Sequence, residues 1–148
     1  MAQMKETVKI RGNKGEQQVE VLVDTGAEIT RIPKSLADMV TTKYTGNSTT
    51  LISASGHRTT AKLVIIEVIF PSLSNLKYVG EVAVVESGTV DILLGFDILR
   101  SIGATIDTKL KKLIVKDELV EAAKVGLMIV GGVAIGALIL KFLFGSEK

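Results

Sequence analysis

The chain has 148 residues, a formal net charge of +2, 47% hydrophobic residues, a single histidine and no cysteine. The length suits one domain, and the missing cysteines exclude a disulfide framework, a thiol nucleophile and a cysteine-ligated metal. One histidine, His57, excludes a histidine-rich metal site, and the scattered charges and few aromatics give no footprint for nucleic acid; no metal, cofactor or nucleic-acid partner is expected.

Residues 7–11 (Thr-Val-Lys-Ile-Arg) alternate and predict a short strand. Residues 12–15 (Gly-Asn-Lys-Gly) are a hairpin signal that returns through a strand over 17–23. Val19, Val21 and Val23 share one face of that strand, which stops at Asp24-Thr25-Gly26-Ala27. Asp and Thr bond nearby backbone amides and Gly tolerates turn dihedrals, so Asp-Thr-Gly reads as a turn. A carboxylate fixed at the end of a buried strand, partly shielded from water, meets the conditions for acid–base chemistry. Three residues alone fit a plain turn as well, and the deciding context lies downstream.

Residues 29–32 predict another short strand, and 33–39, with Pro33 near the start, one helical turn. Residues 41–50, polar and rich in Thr and Ser, read as a loop leading into a strand. Residues 51–60 read as a hairpin with its tip at Ser55-Gly56, small residues that let a tip move or approach a ligand. Residues 62–70 are apolar on both faces: Val64, Ile66, Val68 and Phe70 on one, Leu63, Ile65 and Ile69 on the other, with Glu67 interrupting. Such a strand is sandwiched. A strand over 77–86 and a turn at 87–89 follow. Ile92-Leu93-Leu94 reads as a buried strand, Gly95 as a point of close packing, and 96–102 as a short helix ended by Gly103. Residues 104–107 and 111–116 predict a closing hairpin. From Asp117 the pattern turns helical, with Asp117, Glu118 and Glu121 suiting a positive helix end.

Residues 125–140 carry no charge, and with Lys141 reaching towards headgroups the apolar run extends to Phe144. About 20 residues is what a helix needs to cross a hydrocarbon core. The expected organisation is a β-rich domain over 1–116, a juxtamembrane connection over 117–124, a transmembrane helix over 125–144 in the lipid bilayer and a short tail over 145–148. No apolar segment of a signal peptide opens the sequence, and the lysines before the run outnumber those after it. The expected location is a membrane, single-pass and C-terminally anchored, with the domain on the cytoplasmic side. Gly132 and Gly136 form a Gly-x-x-x-Gly pattern that permits close helix contact in lipid.

Asp24-Thr25-Gly26-Ala27 after an apolar strand, a flap-like hairpin near residue 55, and Ile92-Leu93-Leu94-Gly95-Phe96-Asp97-Ile98-Leu99 before a helix occur here in one order. This resembles the retroviral-type, retropepsin-like aspartic proteases over residues 8–115. The resemblance implies a mainly β, closed retropepsin-like domain with one short helix. Asp24 matches the catalytic aspartate. Thr25 and Gly26 match the residues that support the catalytic loop, Thr25 through its hydroxyl and Gly26 through backbone approach to substrate. Ala27 and Glu28 fall among the substrate-binding positions. Ala54, Ser55, Gly56 and His57 match the flap tip that closes over bound peptide, and Leu94-Gly95 the pair that packs against the catalytic loop. Phe96 stands where viral enzymes commonly have Arg, so the usual Arg–carboxylate pair is absent and Glu28 is left to pair with another cation such as Arg31, or to face substrate.

Only one Asp-Thr-Gly is present. Chemistry that needs two carboxylates sharing a proton then implies a homodimer with one Asp24 from each chain, acting as an aspartic endopeptidase on peptide or protein substrate. The competing class is a non-catalytic, membrane-tethered module of the same fold that binds peptide or assists assembly. His57 reads as a flap-surface residue and Asp97 as a residue that caps or pairs near its helix. Arg31 fits an exposed position, or a groove position favouring acidic peptide residues.

Overall fold

The hairpin signal at residues 12–15 turns β1 (Met4–Arg11) back onto β2 (Glu16–Val23), in antiparallel register from Met4↔Val23 to Arg11↔Glu16. The structure, a computed structural model, describes residues 4–53, 55–86, 91–126 and 128–131. Its further strands are β3 (Arg31–Pro33), β4 (Tyr44–Ile52), β5 (Arg58–Phe70), β6 (Leu76–Val85), β7 (Leu93–Leu94), the hairpin β8 (Thr105–Asp107) and β9 (Lys112–Ile114), and β10 (Met128–Val130). Six strands close on themselves in the order β6-β3-β7-β2-β1-β5, since β5 also pairs with β6. β4 extends the sheet from β5, and β10 adds to β6 beside β3. Closure gives each of those six strands a partner on both sides, though β3 covers only residues 83–85 along its side of β6.

The two apolar faces of β5 separate as the alternation requires. Val64, Ile66, Val68 and Phe70 enter the main core with Val8, Ile10, Val21, Ile32, Leu94 and Ile98. Leu63 packs on a second cluster of Leu51, Ala61 and Ala83, and Ile65 on a third with Val79. Glu67, on that outer face, is fully buried and meets the Arg11 guanidinium at 2.8 Å, which lets a carboxylate sit inside the sheet.

The structure departs from expectation in three ways. The polar residues 44–50 are strand, because their backbone pairs antiparallel with β5 while most of their side chains stay open to solvent. Where the resemblance implied one short helix there are three α-helices among the described residues, α1 (Lys34–Val40), α2 (Phe96–Ser101) and α3 (Asp117–Lys124), each where the residue pattern along the chain is helical. The expected membrane helix does not start at Val125. α3 ends there, and Met128–Val130 is strand, paired parallel with Lys77–Val79. An apolar run satisfies its backbone equally well on an open strand edge, and β6 offers one. Residues 117–124, expected as a connection, place Ala123, Leu119 and Val120 on the main core. Among the described residues no helix is long and apolar enough to cross a membrane; residues 132–144 lie outside them.

Candidate active site

Asp24 is delivered by a strand held on both sides. β2 pairs with β1 and, in parallel, with β7, which sets Leu22 beside Leu93 and Val23 beside Leu94. The Leu22 N–H donates to the Ile92 carbonyl at 2.8 Å, and the Asp24 N–H donates to the Leu94 carbonyl at 3.0 Å. The chain then turns: the Ala27 N–H reaches the Asp24 carbonyl at 3.1 Å, and the Gly26 N–H donates to Asp24 Oδ1 at 2.9 Å. One carboxylate oxygen is thereby fixed, while Oδ2 has no hydrogen bond among the described residues. Asp24 is half-buried, Thr25 and Gly26 are exposed, Ala27 is buried and Glu28 is exposed.

A second strap fixes the far side of the turn. The Phe96 N–H donates to the Ala27 carbonyl at 2.8 Å and the Asp97 N–H to the Glu28 carbonyl at 3.2 Å. Gly95 is required at this crossing: a Cβ there would lie 2.8 Å from the Ile29 carbonyl carbon and 2.9 Å from the Ala27 oxygen. Leu94 is buried in the main core.

Thr30 and Asp97 lock the arrangement. Asp97 Oδ1 accepts from the Thr30 hydroxyl at 2.8 Å and from the Ile98 N–H at 2.8 Å, and both carboxylate oxygens face the Thr30 N–H at 3.1 Å. The Thr30 hydroxyl in turn accepts from the Gly95 N–H at 2.9 Å. Asp97 therefore pairs at its helix start, and its reach extends to the loop that carries Asp24. Thr30 was not singled out from the sequence; a threonine six positions after Asp24 carries no local signal, and its partner lies 67 residues away.

The flap hairpin forms between β4 and β5. The Ser53 N–H donates to the His57 carbonyl and the Gly56 N–H to the Ser53 carbonyl, both at 2.9 Å, and the Ser53 and Ser55 hydroxyls meet at 2.9 Å. Ser55, Gly56 and His57 are exposed at this tip; Ala54 lies outside the described residues. Glu28 makes no ion pair with Arg31 among the described residues. Arg31, on β3 opposite Leu93, lines a cleft of about 310 Å³ instead, between the flap and the β3–β7 pair. Leu51, Ser53 and His57 of the flap hairpin and Leu93 of β7 also face this cleft.

The comparisons with known proteins agree with this geometry. Residues 8–101 match the family described as "gag-polyprotein putative aspartyl protease". The EIAV protease complexed with the inhibitor HBY-793 is similar in fold, with a TM-score of 0.54 at 18% identity, covering 72% of this chain and 93% of that one. The retroviral protease-like domain of Ddi1 from Leishmania major gives a TM-score of 0.50 at 19% identity, covering 79% of this chain and 91% of the domain. No curated protein matches the chain. With the family match spanning Asp24 through Arg100 and a closed barrel of the same fold around them, the chain belongs to the gag-polyprotein aspartyl protease family, with a mainly β, retropepsin-like domain.

Proposed function

We propose that the protein is an aspartic endopeptidase that works as a homodimer, with Asp24 of each protomer facing the other. The observation that carries this reading is the catalytic turn itself. Asp24 is gripped by the Leu94 carbonyl and the Gly26 N–H, yet Thr25 and Gly26 stand exposed, so the turn is presented rather than buried. A second copy meeting it across a two-fold axis brings a second Asp24, and two carboxylates about 3 Å apart hold one proton between them. The ionised member takes a proton from water, whose oxygen attacks the peptide carbonyl. The protonated member gives its proton to the carbonyl oxygen. Collapse of the tetrahedral adduct breaks the C–N bond, and the amine leaves with a proton from the dyad. The pair titrates as a unit. The flap tip at Ser55, Gly56 and His57 covers the peptide, and Ala27 and Glu28 line its backbone.

The test is peptide cleavage across pH by the full chain beside Asp24→Asn, with the oligomeric state recorded. Cleavage that vanishes in the variant supports the dyad. Full activity in a folded Asp24→Asn sample refutes it. Absence of cleavage by a folded dimer points to a peptide-binding module. We also infer membrane tethering from the apolar composition of residues 125–144, with the protease domain on the cytoplasmic side; flotation of the chain with lipid vesicles tests the attachment.

A further inference from the structure

We propose that the cleft between the flap and β3 is a side-chain subsite for an acidic residue of the bound peptide, read by Arg31. The proposal rests on the reading of this face as a peptide site, and names what that peptide must carry. The cleft's volume of about 310 Å³ sits at the small end of ligand pockets, room for a side chain rather than a cofactor. Leu51, Val85 and Leu93 give it apolar walls, which raise the strength of any charge contact inside.

Arg31 lines this cleft, and no carboxylate lies within ion-pair distance of its guanidinium among the described residues. A guanidinium presents five donors in a rigid fork and has no acceptor of its own, so a carboxylate seated against it makes two parallel, charge-assisted bonds. Asp91 also lines the cleft but is exposed, so it keeps its hydration and needs no partner. His57 and Thr59, likewise exposed, add polar groups from the flap side. A Glu or Asp side chain satisfies Arg31. A Lys side chain would meet it as a like charge, and a Leu would displace water from the guanidinium without supplying an acceptor.

The experiment uses the full chain and a set of peptides in which one position at a time carries Glu, Gln, Leu or Lys. Cleavage is read with the peptides, and binding with hydroxyethylene analogues that cannot be cut. The expected result is one position at which Glu exceeds Gln by about tenfold, as a charge-assisted bond in place of a neutral one provides. Arg31→Gln reduces that ratio to about one, Arg31→Lys keeps part of it, and Asp91→Asn, which removes a like charge from the cleft wall, raises it. Binding that discriminates Glu without cleavage keeps the subsite and overturns the endopeptidase reading. Cleavage with no acidic preference at any position, or a preference that survives Arg31→Gln, overturns the subsite and keeps the endopeptidase. A chain that neither binds nor cuts any peptide of the set overturns both.

Discussion

Removal of the Asp97 carboxylate tests whether the turn that carries Asp24 is held in place by the Thr30–Asp97 lock. Thr30 is 3% exposed, and its N–H and hydroxyl both end on Asp97, as does the Ile98 N–H. In Asp97→Ala two buried Thr30 donors lose their acceptor. Each stranded buried donor costs roughly 1–3 kcal/mol, and bonds to a charged acceptor lie towards the upper end. Partial relief comes from water entering the vacated space and accepting from the Thr30 donors. The net loss is then about 2–4 kcal/mol. Asp97→Asn keeps a carbonyl oxygen at the position that accepts three of the contacts, and gives up the charge and one shared bond, a loss of about 1 kcal/mol. Urea unfolding at fixed protein concentration measures both. With a slope of about 1–3 kcal/mol per molar urea, the two variants should separate in midpoint by roughly 1 M. Cleavage should fall further in Asp97→Ala than in Asp97→Asn, because the loop bearing Asp24 is the part released. Two variants of equal stability, both within about 0.5 kcal/mol of the parent, would refute the lock.

Gly95→Ala forces a methyl against the backbone of residues 27–30, so stability should fall by about 1–3 kcal/mol and peptide cleavage with it; an unchanged urea midpoint would show that the two loops do not press on each other as described. Burial pushes the Tyr78 phenol up to about 12, with the charges of Asp97 and Glu81 adding to the shift and a bond from Ser101 opposing it. The unfolded chain loses that proton near pH 10, so this contribution is intact below about pH 10. It declines as pH rises towards 12, by up to about 3 kcal/mol. Tyrosinate absorbance should show Tyr78 titrating last in the folded protein, and Tyr78→Phe should flatten the alkaline loss of stability. Ordinary titration of both tyrosines would contradict it.

What the sequence made legible was the part written in short-range pattern. Alternation located β1, β2 and β5, and the two apolar faces of β5 became separate clusters in the structure. Asp24-Thr25-Gly26 and Leu94-Gly95 were visible because backbone demands at a tight crossing restrict which residues fit. The Thr30–Asp97 lock was not, since it joins two unremarkable residues through a closed sheet. Most of β4 was hidden for a related reason: its stability comes from pairing with β5, and residues 45–50 are polar or glycine with no apolar face to advertise. Residues 128–130 misled because hydropathy reports only that a segment avoids water, whether the apolar partner is lipid or a sheet.

That ambiguity becomes a physical conflict at β10. Ile129 packs on the main core, Met128 on Ile65 and Val79, and the Gly131 N–H donates to the Val79 carbonyl at 2.8 Å. Gly131 fits against the Tyr78 ring only because it has no Cβ. If these contacts hold, an apolar helix can begin no earlier than residue 132, and residues 132–144 as helix would rise only about 20 Å against a hydrocarbon core of about 30 Å. The shortfall of about 10 Å equals seven helical residues, the stretch 125–131. Crossing a bilayer therefore requires β10 to leave β6, and the docked strand and the spanning helix exclude each other. The chain has no cysteine, so Lys77→Cys with Met128→Cys, a registered pair across β6 and β10, offers a reversible lock. If residues 125–144 span the bilayer, the reduced double variant should resist carbonate extraction from vesicles, and the oxidised form should be extracted. Equal resistance in both forms would mean that the strand stays docked while the chain is held by lipid, and that no helix of twenty residues forms.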